Sequence, residues 1–150
     1  MTCVRRSTRG RPLALVTGAG RRVGIAAACV GRLARDGFDV TWTDWTAYDA
    51  RVHGSADDHA VSDLMGAVEA AGGVGQRVEL DLAWPDAATR VFDASMAFHG
   101  RPPVCLVLCH TESVDSGLLD TTPAALDQHT GRQQCVHEVA RQRSEASRSK

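Results

Sequence analysis

Residues 17 to 26 read Thr17-Gly18-Ala19-Gly20-Arg21-Arg22-Val23-Gly24-Ile25-Ala26. Glycines spaced this way let the chain turn sharply and bring backbone N–H groups against a pyrophosphate, and a helix starting there adds a dipole that favours the anion. The chemistry is nucleotide binding, with Gly18, Gly20, Arg22, Gly24 and Ile25 as candidate contacts. Asp44 lies 26 residues after Gly18. A carboxylate there can accept hydrogen bonds from both ribose hydroxyls of an adenosine half, and it repels a 2′-phosphate. Arg21 and Arg22 pull the other way, because guanidinium groups welcome that phosphate. The choice between NAD and NADP stays open, leaning to NAD. A glycine-rich strand-to-helix turn without a ligand, and a strand-end turn role for Asp44, are the plain alternatives.

Other residue types exclude chemistry. Of 17 basic residues the only lysine is Lys150, and the only tyrosine is Tyr48, so a reaction needing a placed Tyr–Lys pair has no such pair to draw on. Cys105, Cys109, His110, Cys135 and His137 invite a zinc reading. Cys105 and Cys109, however, sit four apart on an expected strand, about 13 Å from each other, too far for one ion. Buried thiols are the expectation, and no metal is assigned. Trp42 is expected to pack, and Trp45 and Trp84 to cover strand ends, with adenine stacking as the alternative for Trp45.

These groups need elements to hold them. Leu13 to Val16 is an apolar run ahead of the glycine turn, and Val23, Ala26, Ala27, Val30, Leu33 and Ala34 then recur at helical spacing. Gly37 stops that helix. Phe38, Val40 and Trp42 alternate with polar residues as a second strand ending at Asp44. Residues 46–59 are polar and read as a loop. Val61, Leu64, Met65 and Val68 mark a second helix that stops at Gly72-Gly73. Val78 to Leu82 reads as a third strand, Pro85 as the first turn of a helix carrying Ala88, Val91, Phe92 and Met96, and Val104 to Cys109 as the most apolar strand. Strands alternating with helices predict an α/β fold: a doubly wound, Rossmann-like parallel sheet with helices on both faces. After Leu126 the helical stripe is lost at His129, Thr130 and Gln133, which predicts a poorly packed C-terminal tail.

The chain has 150 residues and a net charge of -1, about one domain by length. The charge is uneven: the first eleven residues carry +4, residues 132–150 carry +3, and the stretch between carries -8. The expected organisation is a basic tail over 1–11, a nucleotide-binding domain over 12–129 and a polar, basic tail over 130–150. The tails lack interleaved aromatics, so they read as solvated, with no nucleic-acid partner. The apolar run after the basic start is too short for a secretory signal, and no run approaches a membrane span. Five cysteines form no disulfide framework. The expectation is a cytoplasmic chain without a membrane partner.

The run Leu15 to Gly20, Asp44, Asp81-Leu82 after the third strand, and Asp115 to Thr122 resemble the short-chain dehydrogenase/reductase family over about residues 12 to 129. The resemblance implies that Asp81 and Leu82 contact the adenine, with a turn-capping role for Asp81 as the alternative. Arg22 stands where the family usually has its second glycine. The turn is closer to that of enoyl-acyl-carrier reductases, with Gly24-Ile25-Ala26 following. Leu108-Cys109-His110-Thr111 stands in place of the Asn-Asn-Ala-Gly block, which puts Cys109 and His110 on the nicotinamide side.

The family reduces carbonyls with a serine and a Tyr-x-x-x-Lys pair, which Tyr48 and Lys150 cannot form, so no catalytic residue is assigned. The expectation is the nucleotide-binding half of an NAD(P)-dependent oxidoreductase with a carbonyl or hydroxyl small-molecule substrate. The alternatives are a non-catalytic, truncated nucleotide binder and, from another class, an S-adenosylmethionine-dependent methyltransferase. The latter is disfavoured by neutral Thr17 at the glycine turn. A reading-frame shift near Thr130 would account for the tail. Oligomers occur in the family, and for this shortened chain a monomer is the simpler expectation.

Overall fold

The computed structural model describes residues 10–111, 117, 119–125 and 136–142. Four strands form one parallel sheet in the order β3-β2-β1-β4: β1 (Leu13–Thr17), β2 (Asp39–Asp44), β3 (Gly75–Glu79) and β4 (Cys105–Leu108). The helices are α1 (Ile25–Arg35), α2 (Thr46–His53), α3 (Ala60–Ala70) and α4 (Ala87–His99). Leu13 pairs with Asp39 on one side of β1, and Ala14 with Cys105 on the other. Every residue of β1 and β2 is buried, as expected of parallel strands covered on both faces.

Alternation along β1 sends Val16 to one face and Leu15 to the other. Val16 joins Ala26, Val30, Ala34, Val40, Trp42, Leu64 and Val68 under α1 and α3. Leu15 joins Leu80, Leu82, Ala88, Val91, Phe92 and Val136 under α4. Two cores on two faces are what a doubly wound sheet requires. Trp42 is fully buried, and its ring and Met65 Sδ crowd the place where a side chain on Gly75 would stand, so glycine there lets β3 lie against β2 without displacing either.

Several boundaries differ from the sequence reading. Residues 46–53, expected as loop, form α2. No residue of this helix is buried, so it carries no apolar stripe for periodicity to detect. Trp45 stacks on Tyr48, and the Arg51 guanidinium lies 5.3 Å over the Tyr48 ring. Strand β3 begins three residues before Val78, because its register is set by pairing with Val40 to Asp44. Leu80 and Leu82 lie beyond β3, buried in the α4 core. Val23 and Ile25 are strongly exposed and Met96 is partly so, while Ser95 takes the buried position and exchanges a 2.9 Å hydrogen bond with Thr41. Trp84 is half exposed beneath the Arg90 guanidinium.

Arg11, expected in a solvated tail, is built into the domain. Its guanidinium donates to the carbonyls of Ala34, Phe38 and Ala71 at 2.7, 2.9 and 3.3 Å. It thereby meets the carboxyl ends of α1 and α3, where the helix dipole favours a cation. It also lies 3.4 Å from Asp39, which Arg101 contacts from the opposite side. Of the C-terminal stretch, residues 136–142 are helical with Val136 buried in the α4 core. Leu126, His129, Thr130 and Gln133 lie outside the described residues.

Candidate functional site

Strand β1 is flanked by β2, reached through α1, and by β4, reached after the chain has crossed back over the sheet. At such a switch point the loops beyond the carboxyl ends of neighbouring strands part and leave a crevice. Here the crevice is a cavity of about 360 Å³, lined by residues from the glycine turn, the end of β2, α2, residues 80–82 and residues 109–111. That volume lies in the range of small-molecule sites.

Each glycine of the turn has a different task. Gly18 has φ +81, and a side chain there would collide with the backbone of His110, so it permits the β1 and β4 loops to touch. Gly20 leaves the space taken by the Asp49 carboxylate. Gly24, at the N-cap of α1, meets nothing within 4 Å where a Cβ would stand. No acidic residue occupies the first turn of α1, so its free N–H groups and dipole are suited to an anion.

Thr17 ties the two loops together. Its hydroxyl lies 2.6 Å from His110 Nδ1 in a buried contact, and it accepts the Cys109 N–H at 3.2 Å. The Ala19 N–H reaches the Thr43 carbonyl at 2.8 Å, fixing the turn to the end of β2 as well. Burial pushes the Cys109 thiol up, and the adjacent Cys29 thiol adds to the effect.

Of the residues singled out from sequence, Gly18, Gly20, Gly24, Ile25, Asp44, Asp81, Leu82, Cys109 and His110 all line the cavity. Arg22 does not. Its backbone N–H and its Nε both donate to Asp57, at 2.9 and 3.1 Å, and Nη1 lies 3.6 Å from Asp63. Asp81 lines the wall and also accepts the Ala83 N–H at 2.8 Å, the turn-capping role. Asp44 is almost wholly buried and gripped by Arg77, Nε to Oδ1 at 2.8 Å and Nη2 to Oδ2 at 2.6 Å. Trp45, weighed from sequence as an adenine-stacking residue, lines the cavity at the N-cap of α2, and sequence reasoning missed Tyr48, Asp49, Val52 and His53, which line it from α2 itself. The signal for them was the helix that periodicity could not find. No group of three metal-ligating side chains exists among the described residues, and no described helix is long and apolar enough to cross a membrane.

No protein-family model and no curated protein matches the chain. Solved structures do. The blue fluorescent protein from a metagenomic library, in complex with NADPH, superposes with a TM-score of 0.69 at 24% identity, over 87% of this chain and 50% of that one. A 3-oxoacyl (acyl-carrier-protein) reductase from Agrobacterium tumefaciens C58 with NADP bound gives 0.65 at 24% identity, over 85% and 45%. A short chain dehydrogenase from Mycobacterium smegmatis gives 0.68 at 18% identity, over 87% and 51%. The chain has the fold of the nucleotide-binding half of short-chain dehydrogenase/reductases. It spans about half the length of those structures. The cavity lies at the β1/β4 switch point, where open α/β sheets of this kind form their ligand crevice.

Proposed function

We propose that this chain binds a nicotinamide dinucleotide, as the nucleotide-binding half of an oxidoreductase acting on a carbonyl or hydroxyl substrate. The observation that carries the reading is the cavity at the β1/β4 switch point with Gly24 open at the start of α1. The residues fit the group: a pyrophosphate has the unencumbered N-terminus of α1, an adenosine has the walls made by Asp44, Trp45, Leu80, Asp81 and Leu82, and the far end meets Cys109 and His110. When bound, the nicotinamide supplies a hydride. The chain's part is to hold the dinucleotide between the two loops and to exclude water along the apolar wall.

Proton transfer is a separate matter. Tyr48 lines the cavity from α2 and is remote in sequence from Lys150, so the sequence holds no Tyr-x-x-x-Lys pair for acid–base work. The binding function therefore belongs to these residues, and turnover to groups outside them.

Titration of the full chain with NADH and NADPH, followed by nucleotide fluorescence and calorimetry, tests the reading. Saturable one-site binding that Gly24→Glu abolishes is the expected result. Absence of binding by NADH, NADPH and ADP-ribose alike would overturn it.

A further inference from the structure

The carboxylate at the end of β2 is the one sequence reasoning assigns to the ribose, yet each of its oxygens already accepts a charge-assisted hydrogen bond. Asp44 has a side chain only 4% exposed, and both oxygens accept from Arg77. Arg77 is committed in turn, with Nη2 also meeting Thr46 Oγ1 and Glu79 Oε2 at 3.0 Å each. The pair is a clamp between β2 and β3, with Asp44 at the cavity wall and Thr46 and Arg77 lining the adjoining hollow.

Asp49 differs in each respect. It projects from α2 over Gly20, whose missing side chain is what admits it, and it lines the same cavity as Asp44 and Gly24. Its Oδ atoms take no hydrogen bond from any described residue. It is half-buried, and burial raises its carboxyl above the ordinary range, with Asp44 and Asp57 adding to the rise and His53 and Arg21 opposing it. A half-desolvated carboxylate without donors is costly unless something supplies them. Two adjacent hydroxyls would.

The surrounding charge points the same way. A second hollow of about 200 Å³ adjoins Gly20 and is walled by Asp44, Asp49, Asp57 and Asp58. Of the nearby cations, Arg77 is engaged by Asp44 and Glu79 and Arg22 by Asp57 and Asp63, while Arg21 lines the main cavity and offsets part of this charge. A phosphate on the ribose would enter a field of carboxylates.

We infer that Asp49 of α2, rather than Asp44, reads the ribose hydroxyls of the bound nucleotide and turns away a 2′-phosphate, making the site selective for NAD(H) over NADP(H). The inference rests on the dinucleotide reading given above. It sets this chain apart from the neighbours that hold NADPH and NADP, and it gives Gly20 the purpose of seating a side chain instead of a phosphate.

The test uses the full chain, titrated with NADH and with NADPH. The parent is expected to bind NADH at least tenfold more tightly. Asp49→Asn keeps the shape and removes the charge, and is expected to shrink that ratio about tenfold, mainly by admitting NADPH, with the melting temperature unchanged. Asp49→Ser is the second variant and should behave alike. Asp44→Asn is expected to lower the melting temperature and to shift the ratio less than Asp49→Asn does; a larger shift from Asp44→Asn would overturn the assignment to Asp49. A ratio that Asp49→Asn and Asp49→Ser leave at the parent value overturns the inference, even though NADH binds. Failure of both dinucleotides to bind the parent overturns the dinucleotide reading itself.

Discussion

The hydroxyl of Thr17 and Nδ1 of His110 meet at 2.6 Å inside the protein, joining the last residue of β1 to the loop after β4 across 93 positions of sequence. Because Thr17 also accepts the Cys109 N–H, one hydroxyl holds both loops that form the cavity. Thr17→Val keeps the volume and β-branching but leaves these groups without it. The expected loss is about 1–3 kcal/mol, measured by urea unfolding, with nucleotide affinity falling in parallel. An unchanged midpoint would show that the contact is incidental.

Gly18 and Gly24 stand in one motif and should respond in opposite ways. Gly18→Ala forces a left-handed backbone on alanine and drives its methyl into the His110 backbone, at an expected cost of about 2 kcal/mol or more. Gly24 has extended backbone and open space around it. Gly24→Ala should leave stability within about 0.5 kcal/mol and weaken nucleotide binding, since it narrows the approach to α1. Thermal melts and titrations of the two variants check the contrast.

Arg77→Ala would leave the buried Asp44 carboxylate without its clamp. The expected destabilisation is about 2–4 kcal/mol, in line with removal of one partner from a largely buried pair. The double variant Asp44→Asn with Arg77→Met should recover much of it. Denaturant midpoints of the single and double variants decide the matter.

His99, at the end of α4, is half-buried beside Asp39 and Arg101. Burial pulls its pKa down to about 4 from 6.5, Asp39 opposing and Arg101 assisting. Between those values the unfolded chain holds the proton and the folded one does not, so the contribution is complete above about pH 6.5 and is lost as pH falls toward 4. With solvent screening at this half-buried ring, its full size is about 1–2 kcal/mol. His99→Gln should flatten the stability profile across that window, read by unfolding at pH 4.5, 5.5 and 7.

Legibility followed burial. Leu13–Val16, most of the Val104–Cys109 run and most apolar positions of α1, α3 and α4 face a core, and pattern alone found them; Val104, Ile25 and Met96 are exposed exceptions. The fold class and the place of the glycine turn followed. α2 was invisible for the same reason reversed: it buries nothing, so its residues obey no apolar period. That omission removed Asp49, Tyr48 and Val52 from view, and with them one wall of the site. Asp44 was recognised as a carboxylate in the right place, but its engagement with Arg77 depends on β3 starting at Gly75, three residues ahead of the apolar signal. Arg22 was placed correctly in the turn. Its direction depended on Asp57, in a segment where composition carries no geometry.

The two sides of β1 are assembled from very different distances along the chain. Leu13 finds Asp39 nearby, across α1, whereas Ala14 must find Cys105 after β2, β3 and three more helices have been threaded. Loop-closure entropy favours the first pairing by about 1 kcal/mol. The crevice requires the second, because one of its walls is the loop that β4 delivers. A dinucleotide would accordingly recognise only finished molecules, draw the population toward them by mass action, and serve as a reporter of completed assembly that no probe of helix content could match.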